Sequence, residues 1–156
     1  MPDMFKYSPG LKECHLFRGL NDQDLAWVLD QFEEYPCDEE RQVFAQHEMG
    51  DGFFYIIRGK VRMTAKTRGG QERTRAIFTR NDYFGETALL RRQSRGTTAT
   101  AEAGSLLLKM STENFRKVIK RFPVLKERFQ FVAASRAQQM RQNFAWLVEE
   151  ETVYYL

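Results

Sequence analysis

Cysteine and histidine are scarce in this sequence, which holds only two of each among 156 residues. Cys14 and Cys37 give neither a disulfide framework nor a Cys-x-x-Cys pair, so we expect reduced, partly buried thiols in a cytoplasmic protein. His15 and His47 lie far apart and share no pattern with carboxylates or with a second histidine on one strand. The sequence therefore predicts no metal site.

Long apolar runs are missing as well. The longest uninterrupted runs have only five residues, as in 53–57 and 144–148, far below the roughly 20 residues that a membrane-spanning helix needs. The first ten residues, MPDMFKYSPG, contain no apolar core of a signal peptide. We therefore expect no membrane span in this chain.

An excess of charge of one sign is also missing. The sequence has 24 lysines and arginines against 21 aspartates and glutamates, whereas nucleic-acid-binding domains usually concentrate basic residues on one face. The sequence therefore predicts no nucleic-acid partner. It also predicts no enzyme, because no nucleophile and base stand at a spacing that would let them act together. Apolar residues make up 42% of the chain, which suffices for the core of one domain.

Helical patterns occupy both ends of the chain. In residues 10–36, Asn21 is a candidate N-cap followed by apolar residues at helical spacing. After Ser111, a second candidate N-cap, an apolar stripe runs to Phe122 and Pro123, where we expect the helix to end. A longer amphipathic stretch follows. The sequence therefore predicts short N-terminal helices and two C-terminal helices.

Between these helices, residues 41–110 change to the two-residue period of β-strands. In KVRMTAK the predicted inward residues are Val61, Met63 and Ala65, and the predicted outward residues are Lys60, Arg62, Thr64 and Lys66. RGGQ at residues 68–71 indicates a hairpin turn. Short strands separated by glycines favour a barrel or jelly roll. The predicted fold class is α+β, an antiparallel β-roll (a jelly-roll-like barrel) with the helices at its two ends.

The predicted domain covers residues 10–147. Residues 148–156, VEEETVYYL, form a tail in which an acidic cluster precedes a β-favouring end. Two interpretations stay open for this tail. It is either a frayed helix end or strap, or the start of a further domain outside this chain.

The most informative stretch is FGETALLRRQSRGTTATA, residues 84–101. Gly85 permits a close approach of a ligand to the backbone, and ETALL can form one helical turn whose free N–H groups attract an anion. Arg95 supplies a planar cation that matches two phosphate oxygens. The small residues after it, Gly96 and Thr97 among them, let Arg95 turn inward and add hydrogen-bond donors. Together these features predict a phosphate site.

Glu86 is unexpected in such a place, because a carboxylate repels a phosphate. Glu86 has a role if a hydrogen-bond donor lies next to the phosphate in the ligand, because a carboxylate can accept that hydrogen bond. A ribose hydroxyl is such a donor. The presence of Glu86 therefore indicates a nucleotide rather than inorganic phosphate.

This stretch resembles the phosphate-binding cassette of the cyclic nucleotide-binding domain family, which includes protein kinase A regulatory subunits, the catabolite activator protein and cyclic-nucleotide-gated channels. The family pattern is Phe-Gly-Glu-Leu-Ala-Leu, a short spacer, and an arginine followed by small residues. The matching residues are Phe84, Gly85, Glu86, Ala88, Leu89 and Arg95. Weaker similarity extends over about residues 12–145.

The resemblance implies a role for each matching position. Glu86 would accept a hydrogen bond from the ribose 2′-hydroxyl, and Arg95 would pair with the cyclic phosphate. Backbone N–H groups near Gly85, Thr87, Ala88 and Gly96 would complete the anion cradle. The implied function is a non-enzymatic sensor that binds a 3′,5′-cyclic nucleotide and relays binding through the C-terminal helix. That helix is also a candidate homodimer seam, and an effector domain is expected if the chain is a fragment.

Two departures from the family pattern bear on the ligand. Thr87 replaces a usual apolar residue, and Gly96 stands where members selective for cyclic GMP often carry a threonine. The glycine favours cyclic AMP over cyclic GMP as the ligand, although Thr97 lies one step away. The residue that covers the base is not identified. The candidates are Phe129, Arg136, Met140, Phe144 and Trp146.

Two other functions compete with this one. The chain could be a degenerate domain of the same fold that binds no ligand, with Glu86 and Arg95 as a buried structural ion pair, and could serve protein interaction. It could also belong to a transcription regulator, but a helix-turn-helix would have to follow the long helix. Residues 148–156 are too few for one, so this chain alone is not expected to read DNA.

Overall fold

A computed structural model describes residues 3–143, with side chains to residue 138, and begins with short helices. A 3₁₀ turn at Met4–Tyr7 leads into α1 (Ser8–Glu13) and α2 (Asp22–Asp30). Asn21 caps α2 as predicted, since its side-chain oxygen accepts a 2.8 Å hydrogen bond from the Asp24 N–H.

Eight strands follow, and they form two antiparallel four-stranded sheets. The strands are β1 (Phe32–Cys37), β2 (Arg41–Phe44), β3 (Gly52–Arg58), β4 (Lys60–Lys66), β5 (Glu72–Thr79), β6 (Tyr83–Phe84), β7 (Thr98–Ala101) and β8 (Ser105–Ser111). The first sheet has the order β1-β8-β3-β6, and the second has the order β2-β7-β4-β5. This arrangement confirms the predicted α+β class with an antiparallel β-roll.

The prediction of helix over residues 10–36 holds only within α1 and α2, because residues 14–21 form a non-helical connection and the chain is a strand from Phe32 onward. There the chain forms β1, which pairs antiparallel with β8 along its whole length. Phe32 falls at helical spacing after Leu29 and is buried in the same core, yet it reaches that core from a strand. Pairing with a distant strand thus outweighs the local helical pattern.

Val61, Met63 and Ala65 are buried as predicted, and Thr64, which the alternation places on the outer face, is buried as well. Thr64 is only 4% exposed. The segment after β2 covers the outer face of the sheet at this point. The Gln46 N–H donates to the Thr98 hydroxyl, and Thr98 is the cross-strand partner of Thr64. A residue on the outer face is therefore buried by a loop.

The helices of the second half are α3 (Glu86–Arg91), α4 (Thr112–Arg121) and α5 (Pro123–Asn143). Ser111 caps α4 by accepting from the Asn114 N–H at 3.1 Å. Helix α4 ends one residue before Phe122, as the sequence predicts, and α5 begins at Pro123, a residue tolerated in the first turn of a helix. In residues 3–143 no helix is long and apolar enough to cross a membrane.

The core that joins these helices to the first sheet is aromatic. Phe53 of β3 packs edge-on against Phe129 of α5 at a centroid distance of 5.1 Å, and Phe115 of α4 packs on Phe129 at 5.0 Å. Arg128 adds a polar contact, because its Nη1 donates to the carbonyls of Leu16 and Arg18 at 2.9 and 2.7 Å. The base of α5 is therefore fixed to the N-terminal segment.

The predicted boundary at residue 147 and the tail at 148–156 lie outside the described residues, so both stay predictions. Cys14 and Cys37 are free and buried. Burial raises the pKa of both thiols.

Candidate functional site

Gly85 precedes α3 in a left-handed conformation, with φ +95°. A β-carbon at this position would lie 3.0 Å from Nη1 of Arg95 and 3.0 Å from the Gly52 carbonyl oxygen. Both the backbone angle and the crowding therefore require glycine. The first turn of an α-helix has N–H groups without intrahelical partners, and in α3 this turn directly follows Gly85.

Arg95 lies inside the protein, only 3% exposed. Its Nη1 donates to the Gly85 carbonyl at 2.8 Å, and its Nη2 donates to the Gly52 carbonyl at 2.6 Å. The guanidinium also lies 4.0 Å from the centroid of the Phe44 ring, which favours a cation. Burial lowers the pKa of Arg95, and the nearby Asp51 carboxylate, 3.5 Å away, opposes that shift. Arg95 is thus held in a defined position by carbonyl groups.

Three hydrogen-bonding atoms around this position are buried and have no partner within the described part of the chain. They are Nε of Arg95 and the hydroxyl oxygens of Thr87 and Thr97. A buried donor without an acceptor costs about 1–3 kcal/mol, so native proteins rarely leave one unpaired. A group of such donors beside a helix start is suited to an anion with several acceptor oxygens.

The structure brings the predicted site residues together in two segments. Gly85, Glu86, Thr87 and Ala88 form the start of α3 and are buried, while Arg95, Gly96 and Thr97 form the irregular, bent segment before β7. The hydrogen bond between Arg95 and Gly85 joins the two segments. Arg95 and Gly85 are therefore neighbours, and a binding role for the seven residues stays a prediction.

Glu86 is completely buried, and its partner comes from α5. Nη1 of Arg136 lies 2.9 and 3.1 Å from the two carboxylate oxygens, and Nη2 of Arg136 donates to the Tyr83 carbonyl at 2.7 Å. Burial raises the pKa of Glu86, while the charge of Arg136 lowers it in part. The suggested structural ion pair of Glu86 with Arg95 is not what forms in the described chain, since Arg95 pairs with Asp51.

Of the five residues considered as covers for the base, two make other contacts, and the side chains of the other three are not described. Phe129 is fully buried against Phe53 and Phe115, so its side chain serves the core instead. Arg136 is committed to Glu86. The Met140 side chain, Phe144 and Trp146 lie outside the described residues.

Sequence reasoning missed several residues that hold the site. The Gly52 carbonyl carries no sequence signal, because any residue has a carbonyl. Phe44 could have been found as the last apolar residue of a short strand that turns inward. Asp51 directly precedes β3, and its distance in sequence from residues 84–101 does not indicate a contact with Arg95. Contacts across more than 40 residues are not readable from local patterns.

The arrangement of these groups suits an anion with an attached hydroxyl, and this role stays a prediction. One buried cation and several donors face the start of α3, with a buried carboxylate beside them. Among the residues with described side chains, no three histidines, cysteines or carboxylates come together as a metal site. Fold and site together define a β-roll domain with a buried arginine beside the start of a short internal helix.

The model of the cyclic nucleotide-binding domain family matches residues 37–122, more than half of the chain. The chain therefore belongs to the cyclic nucleotide-binding domain family. This confirms the resemblance inferred from residues 84–101.

Characterised relatives agree with this assignment. The chain is 29% identical over 141 residues to the cyclic AMP receptor protein of Thermus thermophilus, covering 90% of this chain and 65% of the relative. It is 31% identical over 118 residues to the cAMP-dependent protein kinase regulatory subunit of Mycosarcoma maydis, covering 72% of this chain and 22% of the relative. The chain thus spans less than two thirds of the length of these relatives.

Solved structures share the fold. The catabolite activator protein of Thermus thermophilus matches with a TM-score of 0.74 and 29% identity, over 85% of this chain and 62% of that one. The sensor domain of the transcriptional regulator DNR from Pseudomonas aeruginosa matches with a TM-score of 0.72 and 23% identity, over 93% and 95%. The second likeness shows the fold alone.

Proposed function

We propose that this chain is a non-enzymatic sensor domain that binds a 3′,5′-cyclic nucleotide, with cyclic AMP favoured over cyclic GMP. The observation that carries the proposal is Arg95, a buried cation positioned by two carbonyls beside the start of α3, with its Nε unpartnered in the described chain. Burying a charge is unfavourable unless it meets a counter-charge. Asp51, 3.5 Å from Arg95, is 65% exposed, and a phosphate at this position would supply a closer counter-charge.

The phosphate half of the ligand would meet donors only. Arg95 would pair with the cyclic phosphate through its unpartnered edge, and the hydroxyls of Thr87 and Thr97 would each gain an acceptor. Backbone N–H groups near Gly85, Ala88 and Gly96 would complete the cradle. Charge-assisted bonds of about 1.5–3 kcal/mol each are enough, with burial of the base, for micromolar affinity.

The sugar half would meet Glu86, whose oxygens are both engaged by Arg136. A ribose 2′-hydroxyl needs one of these oxygens as its acceptor. Nucleotide binding is therefore expected to change the contact between Glu86 and Arg136, which lies on α5. This is how binding would reach the C-terminal helix and, through it, an attached effector domain or a partner protein.

Cyclic AMP is favoured because Gly96 offers no side chain to a guanine. Similarity over 90% of this chain to the cyclic AMP receptor protein of Thermus thermophilus supports this preference. Fruit-fly cGMP-dependent protein kinase is also among the relatives, at 29% identity over 89% of this chain. Cyclic GMP is therefore the comparison ligand in any test.

Isothermal titration calorimetry with cyclic AMP and cyclic GMP tests the proposal. We expect Arg95→Ala to weaken cyclic AMP binding by about 2 kcal/mol or more, roughly 30-fold, since truncating one partner of a buried charge pair typically costs this much. Arg91→Ala is the matched control, because it removes the same charge from the exposed end of α3. Equal affinity of Arg95→Ala and the parent would refute the role of Arg95.

A second candidate is a domain of the same fold that binds no nucleotide and serves interaction. The observation in its favour is that Arg136 already occupies Glu86. A thermal-shift panel of nucleotides separates the two functions, because a ligand that binds only the folded protein must raise the melting temperature. No shift with any cyclic nucleotide would favour the interaction domain.

We also propose that two copies pair through α5. Phe131 is 74% exposed and Val124 is 45% exposed, seven residues apart on the same helix, which is the spacing of a helix–helix seam. Sedimentation equilibrium of the parent and of Phe131→Glu tests this. A parent that stays monomeric at high concentration would contradict the proposal.

A further inference from the structure

A pocket separate from the Arg95 site lies on the outer face of the β2-β7-β4-β5 sheet. None of the residues predicted for the Arg95 site lines this pocket. Its volume is about 440 Å³, within the usual range for small-molecule sites. We name it the Thr64 pocket. It is defined by the side chains of Gln46, His47, Thr64, Lys66, Glu72 and Thr98.

Two polar atoms at this pocket are buried and have no hydrogen-bond partner within the described residues. One is the hydroxyl of Thr64, a side chain that is 96% buried, and the other is Nε2 of Gln46. Both residues line the pocket. Unpartnered buried polar atoms are uncommon in native proteins, so two at one pocket indicate a place where a ligand atom is bound.

The orientation of the Gln46 amide is fixed by its surroundings. The backbone N–H of Lys66 donates to Oε1 of Gln46 at 2.9 Å. A backbone N–H can only donate, so the oxygen must face Lys66 and the NH₂ group must point away. The Gln46 N–H donates in turn to the Thr98 hydroxyl oxygen at 2.9 Å. The unpartnered Nε2 is thus a real donor and not a misassigned oxygen.

The available groups select the chemistry of the ligand. Gln46 offers two N–H donors, and the Thr64 hydroxyl offers a third. Lys66 and His47 also line the pocket, and Glu72, the cross-strand partner of Lys66, is the one acid among the lining residues. We infer that the Thr64 pocket binds a small molecule through a carboxylate, whose two oxygens accept from Gln46 and Thr64.

The pocket adjoins the segment that carries Arg95. The His47 N–H donates to the Arg95 carbonyl at 2.8 Å, and the Arg95 N–H donates to the Glu48 carbonyl at 2.6 Å. Any effect of the carboxylate on nucleotide affinity would rest on the function proposed above. Binding of the carboxylate itself does not, so it is tested without nucleotide.

The first test is an NMR titration of the ¹⁵N-labelled chain with sodium acetate and, separately, with glycine, at constant ionic strength set by sodium chloride. We expect saturable shifts of the backbone amides of Gln46, His47, Thr64 and Lys66, together with the Gln46 side-chain amide. Stronger binding of glycine than of acetate would identify an amino acid, with its ammonium group at Glu72. Shifts that do not saturate with either probe, or that sodium chloride reproduces, would overturn the inference.

Two variants examine the donors directly. Gln46→Glu keeps an acceptor for the Lys66 N–H but replaces the donor group with an oxygen, and we expect at least about tenfold weaker acetate binding. Thr64→Val removes one hydroxyl and should weaken binding several-fold. Thr74→Val is the matched control, because Thr74 pairs with Thr64 across the sheet but does not line the pocket. Equal losses in Thr64→Val and Thr74→Val would contradict the assignment.

Thermal melting keeps the inference testable if Gln46→Glu does not fold. Without acetate, Thr64→Val should melt at the same temperature as the parent or higher, because it removes a buried hydroxyl that lacks a partner. It should also lose the rise in melting temperature that acetate gives the parent. A clear drop in melting temperature without acetate would mean that an ordered water already satisfies Thr64, and the carboxylate site would be rejected.

Discussion

Arg95 is held by the backbone carbonyls of Gly52 and Gly85, whereas Glu86, at the neighbouring position, is held by the Arg136 side chain of α5. The Gly52 and Gly85 carbonyls belong to the segments that frame the site, so Arg95 keeps its place as long as the β-roll is folded. The partner of Glu86 can leave by a rotamer change or by movement of a helix. The half of the site proposed for the phosphate is therefore preorganised, while the half proposed for the sugar depends on the position of α5.

Among variants that test this difference between Arg95 and Glu86, we expect the largest loss of stability from Arg136→Ala. It leaves the Glu86 carboxylate buried without its partner, which should lower the free energy of unfolding by about 3 kcal/mol. Urea denaturation measures the loss, and Lys126→Ala, an exposed cation of the same helix, is the control. The double variant Glu86→Gln/Arg136→Ala tests whether the two residues are coupled. They are not coupled if its loss in free energy of unfolding equals the sum of the losses in the two single variants.

A somewhat smaller effect is expected from Gly85→Ala in the preorganised half. The left-handed φ alone costs roughly 1–2 kcal/mol for alanine, and the crowding against Arg95 and Gly52 adds to it. Gly104→Ala is the matched control, since Gly104 has φ +84° but no atom within 4 Å of its added β-carbon. We expect only Gly85→Ala to weaken cyclic AMP binding as well. Similar losses of stability in both variants would show that crowding is unimportant.

The pH dependence of stability reports on the sugar half. Because burial raises the pKa of Glu86 above its ordinary value near 4.5, the folded chain favours the protonated carboxyl. The stabilising contribution of this group is complete below the unfolded pKa and is lost as the pH rises through the folded pKa. Relative to Glu86→Gln, the parent should therefore lose free energy of unfolding as the pH rises above 4.5. A constant difference across the pH series would contradict the raised pKa.

The smallest effect is expected from Asp51→Asn. Asp51 lies 3.5 Å from Arg95 and 3.2 Å from Lys109, and its side chain is 65% exposed. Exposed ion pairs are worth about 0–1 kcal/mol, so both stability and cyclic AMP affinity should change little. Calorimetry checks the affinity. A loss as large as that of Arg95→Ala would mean that Asp51, and not the carbonyls, positions Arg95.

Features set by neighbouring residues could be predicted from the sequence. The caps Asn21 and Ser111 act within three residues of the helix that they begin, and both were identified. Gly85 and Arg95 lie within one short stretch, so the sequence could bring them together, and anion binding there stays a prediction. The alternation along β4 gave three of the buried positions correctly.

Features set by distant pairing could not be predicted. Phe32 enters β1 because β8, more than 70 residues later, pairs with it. Thr64 is buried because the segment that contains Gln46 folds over it. The alternation within β4 gives no indication that this segment lies there. Arg136 meets Glu86 across 50 residues, so the sequence could propose it only as a candidate to cover the base.

The attachment of Arg128 has a mechanical consequence for α5. Its hydrogen bonds to the Leu16 and Arg18 carbonyls hold the helix at one point near its start. At 1.5 Å per residue, Arg136 lies about 12 Å from that point and residue 143 about 22 Å. If the helix rotates as a rigid lever about Arg128, a displacement of a given size beside Glu86 becomes nearly twice as large at residue 143.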